Sequence, residues 1–249
     1  MTSESTTENR AGPSVPEGSV VYAIGDIHGE AERLDKLHAL ILADAGARDA
    51  VRRVAVYVGD YVDRGPDSAG VIDRLIEGPL PGFECVFLMG NHEEFLLQFL
   101  KTADMTDGWF LNGGVATLES YDVDPRGGAS GFSDPGEIRD RFAAKLPGIH
   151  ERFLNALKLH HVEGGYLFVH AGIRPGCALQ DQSPSDLLRI RGDFLESDAD
   201  HGWVVVHGHS PRDAPQTRSN RIGIDTGVCY GGPLTALALE GEARTFLQV

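Results

Sequence analysis

The chain has 249 residues, 41% of them hydrophobic, which is enough to bury the core of one large α/β domain or two small ones, and we expect one. Its formal net charge of −15 would repel a phosphate backbone, so we expect no nucleic-acid partner. No stretch approaches the roughly 18 unbroken apolar residues of a membrane span, and the N-terminus lacks an apolar stretch of signal-peptide type, so we expect no membrane partner and a cytoplasmic location.

The N-terminal half alternates between strand and helix patterns. Residues 1–18 are rich in Ser, Thr, Glu and Pro, a composition that predicts a disordered tail. From residue 19 onward, β-branched segments alternate with helical patterns, which is typical of parallel strands with helices on the sheet faces. The predicted elements are strands at 19–25, 53–59 and 84–90 and helices at 30–46, 68–78 and 93–101.

A Gly-rich segment interrupts this alternation. It contains "PRGGASGFSDPG" and is flanked by helix-like pieces, so we interpret residues 107–160 as an inserted helical cap. Strand patterns return at 166–170, 203–207, 221–225 and 234–240. The spacing of the last two predicts an antiparallel pair.

Five of the apolar strands end in Asp, Asn or His. Taken singly, an Asp or Asn after a strand is an ordinary turn former, and a lone His is more often structural than a ligand. The joint pattern is different, because the carboxyl ends of parallel strands meet at one edge of a sheet, where open α/β folds bind ligands. The residues concerned are Asp26, His28, Asp60, Asn91, His92, His170, His207 and His209.

These side chains offer oxygen and imidazole ligands without cysteine. Such a donor set suits Mn, Fe or Zn, and one shared carboxylate can bridge two ions. Cys85, Cys177 and Cys229 lie far apart with no CxxC pair, so we expect three reduced thiols. The pattern therefore predicts a divalent metal centre.

The motifs themselves resemble a known family. "GDIHG", "GDYVDRG", "GNHE", a single His in "HAG", and "HGH" occur in this order, as they do in serine/threonine phosphoprotein phosphatases of the calcineurin-like metallophosphoesterase superfamily. The bacterial branch is similar also in "NGGVATLESY" and "DTGVCYGGPLTAL". The resemblance runs from about residue 19 to 249 and implies one metallophosphoesterase domain, a β-sandwich flanked by helices (α/β/β/α) with the cap inserted.

The resemblance implies two divalent ions, with Mn expected first and Fe or Zn as alternatives. Asp60 would bridge them, and Arg64 would bind phosphate. Asp63 would orient His92, the proton donor to the leaving group. The implied metal ligands are Asp26, His28, Asp60, Asn91, His170 and His207.

Further residues are assigned by the same resemblance. Arg191 in "LLRIRGDFL" matches the "LLWIR" segment of bacterial relatives and is the expected second phosphate ligand, although Arg189 replaces their tryptophan and leaves Arg189 and Arg174 as alternatives. His209 is expected to support His207. For Tyr230, contact with substrate at the rim of the site and plain packing both stay open.

The expected function is metal-dependent hydrolysis of phosphomonoesters, with phosphoserine and phosphothreonine proteins as the leading substrates. The alternatives are a symmetrical dinucleoside tetraphosphatase and a broad small-molecule phosphatase. Asp63 and Glu93 favour the protein phosphatase, because the symmetrical enzymes have sequences similar to "GDLVARG" and "GNHD" at these positions. A non-catalytic phosphoprotein-binding scaffold is the alternative outside enzymes, and the complete ligand set argues against it. The oligomeric state stays open.

Overall fold

Two five-stranded sheets form the centre of the protein. The computed structural model describes residues 12–104, 108–126 and 131–249. Its strands are β1 (Ser19–Ile24), β2 (Arg52–Tyr57), β3 (Glu84–Phe87), β4 (His160–Glu163), β5 (Tyr166–Val169), β6 (Val204–His207), β7 (Gln216–Thr217), β8 (Arg221–Gly223), β9 (Thr235–Glu240) and β10 (Ala243–Gln248). The sheet orders are β10-β9-β1-β2-β3 and β4-β5-β6-β8-β7.

Both sheets are mixed, with three parallel strands that lie on one side of the first sheet and in the centre of the second. In the first sheet β1, β2 and β3 run parallel, and β9 and β10 are antiparallel. In the second, β5, β6 and β8 run parallel, and β4 and β7 are antiparallel. The parallel strands of both sheets carry the polar residues at their carboxyl ends, so each sheet delivers part of one site.

Helices cover the outer faces. They are α1 (Ala31–Gly46), α2 (Ser68–Ile76), α3 (Asn91–Thr102), α4 (Gly114–Ser120), α5 (Pro135–Lys145), α6 (Gly148–Asn155), α7 (Pro184–Arg189) and α8 (Gly192–Leu195). Their starts follow local rules: Asp67 accepts a hydrogen bond from the Gly70 amide at 2.8 Å before α2, and Ser183 does so from the Asp186 amide at 3.0 Å before α7. None of the helices in the described ranges has the length and hydropathy needed to cross a bilayer.

The core between the sheets consists of β-branched and aromatic side chains. Val54 and Val56 of β2 pack with Phe168 of β5 and Val206 of β6, all fully buried. A second cluster lies between the first sheet and its helices, and includes Leu34 and Leu37 of α1. These layers confirm the predicted α/β/β/α sandwich.

The prediction of an antiparallel pair at 221–225 and 234–240 was wrong. β8 pairs in parallel with β6 in the second sheet, whereas β9 lies in the first sheet between β1 and β10. β10 follows β9 through a tight turn with Gly241 at φ 54°, a left-handed conformation that glycine adopts readily. The antiparallel partners of β9 are therefore β1 and the strand after β9, which the sequence analysis had not assigned.

Part of the expected tail packs against the sheets. Val15 is buried and its amide donates to the Gly241 carbonyl at 3.1 Å, while Tyr166 donates its hydroxyl hydrogen to the Pro13 carbonyl at 3.1 Å. An apolar side chain and satisfied backbone groups order residues 12–18, whose composition alone predicted disorder. Residues 1–11 lie outside the described residues.

The segment predicted to form the cap contains three helices, α4 to α6. Residue 107 and residues 127–130 of this segment lie outside the described residues. His150 of α6 connects the segment to the body, because its Nε2 lies 2.8 Å from an Asp73 oxygen of α2 and its Nδ1 lies 2.8 Å from the Tyr121 hydroxyl. Its boundaries at 107 and 160 stay a prediction.

Candidate metal centre and active site

The carboxyl ends of the two sheets meet at one cluster of buried polar side chains. His170, after β5, is the link between the sheets: its Nδ1 lies 2.9 Å from the carbonyl oxygen of Val58, which follows β2. The Ile27 and His28 amides donate to the Asp60 carbonyl at 3.0 and 2.8 Å and so join the loops after β1 and β2. The cluster therefore exists only where both sheets are in place.

Two groups of potential metal ligands share Asp60. One joins His28, Asp60 and His92, and the other joins Asp60, His170 and His209, with the donor atoms of each group within 4.8 Å of one another. Asp60 Oδ2 lies 3.5 Å from His28 Nε2, and Asp60 Oδ1 lies 3.4 Å from His170 Nε2. One carboxylate thus faces both groups, as a bridging ligand must.

Hydrogen bonds to backbone carbonyl oxygens leave the Nε2 atoms of His28 and His170 able to bind a metal ion. His28 Nδ1 lies 2.9 Å from the Val62 carbonyl oxygen, as His170 Nδ1 does from Val58. A carbonyl oxygen only accepts, so in each ring Nδ1 carries the proton and Nε2 the lone pair. Burial lowers the pKa of His28 to about 3 and lowers that of His170 as well, which keeps both rings neutral.

Asp26 gives an independent sign of a cation. Its Oδ2 accepts from the His209 amide at 3.0 Å, but Oδ1 is buried without a hydrogen-bond partner. Burial, together with the carboxylates of Asp225 and Asp60, raises the pKa of Asp26 well above its ordinary value. An orphaned carboxylate oxygen beside two other acids is what a divalent ion would satisfy. The donor set therefore fits the dimetal centre that the sequence predicts.

Asn91 joins the second group. It is the first residue of α3, and its Oδ1 lies 3.0 Å from His170 Nε2. An amide oxygen is a suitable ligand for divalent ions. The structure thus brings Asp26, His28, Asp60, Asn91 and His170 together as the sequence analysis expected.

Next to the cluster, His92 and Asp63 form a fully buried pair. His92 Nδ1 lies 2.6 Å from Asp63 Oδ2. Burial alone would lower the pKa of His92, but the carboxylates of Asp60 and Asp63 outweigh it and raise that pKa above its ordinary value. His92 Nε2 lies 3.8 Å from Asp60 Oδ2 and faces the cluster. A protonated ring in this position can give a proton to a leaving group.

Comparison with known proteins agrees with this geometry. The sequence profile of the calcineurin-like phosphoesterases matches residues 19–238.

The chain belongs to the calcineurin-like phosphoesterase family. It is a metal-dependent phosphoesterase of a family that uses a dimetal centre, and the structure has two groups of candidate ligands around Asp60.

Relatives of similar length have been named for one activity. The chain is 28% identical, over 86% of its length and 88% of theirs, to the asymmetrical bis(5'-nucleosyl)-tetraphosphatases PrpE of Bacillus thuringiensis and of Anoxybacillus flavithermus. A crystal structure of a protein proposed to be a diadenosine tetraphosphatase has a TM-score of 0.60 at 22% identity, covering 96% of this chain and 98% of that one. A serine/threonine protein phosphatase of Saccharomyces cerevisiae has a TM-score of 0.51 at 15% identity, covering 95% and 84%. The two structures share the fold.

Within this calcineurin-like phosphoesterase, His207 does not lie with the ligands, contrary to the sequence analysis. Its Nδ1 lies 3.0 Å from the Gly208 carbonyl oxygen, and its Nε2 lies 3.4 Å from Arg221 Nη1. His209 occupies the position that had been expected for His207, with its Nδ1 3.2 Å from His170 Nε2. β6 ends at His207, and the turn that follows, with His209 at φ 63°, carries the second His of "HGH" to the cluster.

Glu93 is an organising residue whose structural role the sequence analysis missed. Its buried carboxylate accepts hydrogen bonds from the amides of Asp60 (2.9 Å), Tyr61 (2.7 Å), Val62 (3.2 Å) and Gly90 (2.9 Å). Burial, and then the nearby charge of Asp60, raise the pKa of Glu93 to about 7. A Glu three residues after Gly90 at a helix start is a capping signal that could have revealed it.

The loops around the metal centre are held in unusual backbone conformations. Seven non-glycine residues of the described ranges have positive φ, and five belong to this site. Such conformations cost free energy and persist only where surrounding contacts enforce them, as Glu93 does for the loop after β2. The five are His28 (47°), Asp60 (54°), Asp63 (73°), Arg64 (69°) and His209 (63°).

Arg64 reaches the cluster from the same loop. Its Nη1 lies 2.7 Å from His28 Nε2 and therefore donates to the lone pair that a metal ion would use. Its guanidinium carbon lies 5.5 Å from the ring centre of Tyr230, whose side chain is exposed. Arg64 thus lies between the metal cluster and the exposed Tyr230 ring.

Three further arginines were expected as possible phosphate ligands, and one of these three lies at the cluster. Arg191 Nη2 donates to the His209 carbonyl at 3.1 Å. Arg189 pairs with Glu94 and lies 5.0 Å over the Phe95 ring, and Arg174 pairs with Asp186 at 2.7 Å on the surface. The geometry favours Arg191.

Proposed function

We propose that this phosphoesterase cleaves dinucleoside tetraphosphates asymmetrically, leaving one nucleoside with three phosphates and the other with one. The observation that carries the proposal is the position of Tyr230, a residue that is 67% exposed and whose ring lies beside Arg64 at the metal cluster. A base can stack on an aromatic face regardless of its identity, while an arginine fork binds the phosphoryl oxygens. The names of the full-length PrpE relatives support the same substrate class.

The surroundings of Tyr230 suit a nucleotide. A cavity of about 400 Å³ lies against its ring and is lined also by Arg212, Thr226 and Gly227. Pro211 and Arg212 lie two and three residues after His209 of the metal cluster, and Tyr230 lies beside Arg64, so the cavity adjoins the reacting centre. Arg212 would bring positive charge to a polyphosphate on a protein that is otherwise strongly acidic.

Six side chains would hold the two ions in this proposal. Bound ions would neutralise phosphate charge and lower the pKa of an attacking water. Arg64 and Arg191 would orient the phosphoryl group, and His92 would protonate the departing oxygen where it is basic. We expect Mn²⁺ to serve best, with Fe or Zn as alternatives. The six proposed ligands are Asp26, His28, Asp60, Asn91, His170 and His209.

A second candidate is hydrolysis of phosphoserine and phosphothreonine in proteins. The pairing of Asp63 and His92 at 2.6 Å, with the pKa of His92 raised, favours it. An alkoxide from serine or threonine is a poor leaving group that needs a proton, whereas a nucleotide phosphate departs readily as an anion. The pair therefore contributes most on protein substrates.

The test compares substrates on the Mn²⁺-loaded protein. Diadenosine tetraphosphate, a phosphothreonine peptide and a phosphotyrosine peptide are assayed side by side, with nucleotide products separated by chromatography. The proposal expects ATP and AMP at a higher kcat/KM than either peptide. Release of two ADP molecules, or faster turnover of a peptide, would reject it, and faster turnover of the phosphothreonine peptide would favour the second candidate.

Variants of Tyr230 test the base contact. Loss of one stacking partner costs about 1–3 kcal/mol, so we expect Tyr230→Ala to raise KM for the dinucleotide roughly tenfold. Tyr230→Phe keeps the ring and should behave as the wild type, and neither change should affect p-nitrophenyl phosphate. An equal effect of Tyr230→Ala on both substrates would mean that the ring does not bind a base.

A further inference from the structure

The carboxylate of Asp63 is held from the segment predicted to form the cap as well as by His92. Trp109 Nε1 lies 2.9 Å from Asp63 Oδ2 and 3.1 Å from Oδ1, and Thr117 Oγ1 lies 2.6 Å from Oδ1. Asp63, Thr117 and Trp109 are at most 1% exposed. Both carboxylate oxygens are therefore fixed by protein donors and shielded from water.

The direction of these hydrogen bonds follows from the chemistry. An ionised carboxylate only accepts, so Thr117 donates its single hydroxyl hydrogen to Asp63. The Asp63 amide donates to Ser68 Oγ at 3.0 Å and to Thr117 Oγ1 at 2.9 Å. Ser68 and Thr117 lie 3.1 Å apart, and Ser68 must be the donor because the Thr117 hydrogen is already used. The network has one consistent arrangement of hydrogens.

Packing fixes the Trp109 donor in place. The Trp109 ring contacts Phe99 of α3 and Phe142 of α5, with ring centres 4.9 and 6.2 Å away. A Cβ on Gly114 would lie 2.6 Å from ring carbons of Trp109, so glycine is needed for α4 to approach the ring. The orientation of the indole N–H is thus fixed by the cap segment.

We propose that Trp109 and Thr117 are positioning residues for the reaction, which fix the Asp63 carboxylate and through it aim the His92 imidazole at the leaving group. Segment 109–117 would then determine how the proton donor His92 is oriented, in addition to which substrates fit the site. The inference rests on the proton-donor role proposed for His92, but not on the identity of the natural substrate.

The experiment measures kcat and KM on aryl phosphates whose leaving groups span a range of pKa, from p-nitrophenyl to phenyl phosphate. Trp109→Phe keeps the aromatic packing but removes the N–H, and Thr117→Val keeps the shape but removes the hydroxyl. Because a general acid contributes about 100-fold or more on a basic leaving group, we expect each variant to lower kcat on phenyl phosphate roughly tenfold. On p-nitrophenyl phosphate the change should stay below about threefold, since nitrophenolate needs little protonation.

Matched controls separate positioning from folding. Thr117→Ser retains the hydroxyl and should have the wild-type kcat, and Leu118→Val disturbs the core beside Thr117 on α4 without removing a donor to Asp63. Metal content and thermal unfolding are measured for every variant. A spectroscopic readout independent of activity is the His92 Nδ1–H resonance in the Zn²⁺-loaded protein, which should shift in Trp109→Phe and Thr117→Val but not in Thr117→Ser.

Two results would overturn the inference, and they are distinguishable. If His92→Asn slows phenyl and p-nitrophenyl phosphate equally, the proton-donor role itself fails and the inference fails with it. If His92→Asn shows the leaving-group dependence but Trp109→Phe and Thr117→Val show it no more than Leu118→Val does, the two residues are structural only.

Discussion

His209 Nδ1 lies 3.2 Å from His170 Nε2 in the ligand cluster, whereas His207, two residues earlier, lies beside Arg221 with its Nε2 3.4 Å from the guanidinium. We expect His209→Gln to lose one of two bound ions per chain and to lower metal affinity at least tenfold, because removal of a residue that merely supports a ligand already costs roughly 10–100-fold. His207→Gln, the matched control, should keep both ions. Metal analysis after gel filtration measures this, and a His207→Gln protein that loses metal while His209→Gln retains it would contradict the assignment.

Asp60 faces both ligand groups, so its loss should affect both ions. We expect Asp60→Asn to retain fewer than one ion per chain and to have no measurable turnover, because a neutral amide bridges two cations poorly. Asp49→Asn, an exposed change on the loop after α1, should match the wild type in both respects. The test measures metal content and p-nitrophenyl phosphate turnover for both variants. Equal metal loss in the two would place the bridging ligand elsewhere.

Glu93 should be important for stability. In Glu93→Gln, an NH2 group replaces one of the two carboxylate oxygens and cannot accept the hydrogen bonds that backbone N–H groups donate to that oxygen in the wild type. A buried donor left without a partner costs about 1–3 kcal/mol. We therefore expect the free energy of unfolding to fall by on the order of 3 kcal/mol. Glu151→Gln on the exposed face of α6 should change it by less than about 0.5 kcal/mol. Urea denaturation gives both values, and equal stabilities would show that the carboxylate does not hold the loop.

His38 gives a pH dependence away from the metal centre. Its Nε2 lies 2.9 Å from the Tyr57 hydroxyl oxygen, and burial lowers the pKa of His38 to about 4. Asp35, which raises this pKa, and Arg74, which lowers it, are the charges that face it. The folded protein thus binds a proton at His38 less readily than the unfolded chain, so the stability from this group is complete above about pH 6.5 and declines as the pH falls toward 4.

The measurement compares the free energy of unfolding at pH 7 and pH 5. Since one pKa unit corresponds to about 1.4 kcal/mol, the wild type should lose about 2 kcal/mol more over this interval than His38→Gln, which cannot be protonated. His160→Gln on the exposed edge of β4 should follow the wild type. If His38→Gln loses as much stability as the wild type, protonation of His38 makes no contribution.

The sequence predicted most of the sandwich because strand ends carry strong local signals. Asp26, Asp60 and His170 each follow an apolar strand directly, and a parallel arrangement is enough to bring such residues together. The error at His207 has a physical reason: strand and turn signals locate the end of β6, but they do not determine which of two histidines a turn with positive φ directs inward. Trp109 and Thr117 were missed because their partner Asp63 is about 50 residues away, and no local pattern encodes that contact.

The hydrogen bond from His170 to the Val58 carbonyl connects the loop after β5 in the second sheet to the loop after β2 in the first, so the ligand group of Asp60, His170 and His209 forms only when the two sheets are packed together. Binding of divalent ions is consequently coupled to the docking of the two layers. Ions that bind the folded chain and not the unfolded one stabilise it by mass action, about 2.7 kcal/mol when the free ion is 100-fold above its dissociation constant. In a cell, the supply of the metal would therefore influence how long the protein survives proteolysis, in addition to how fast it turns over.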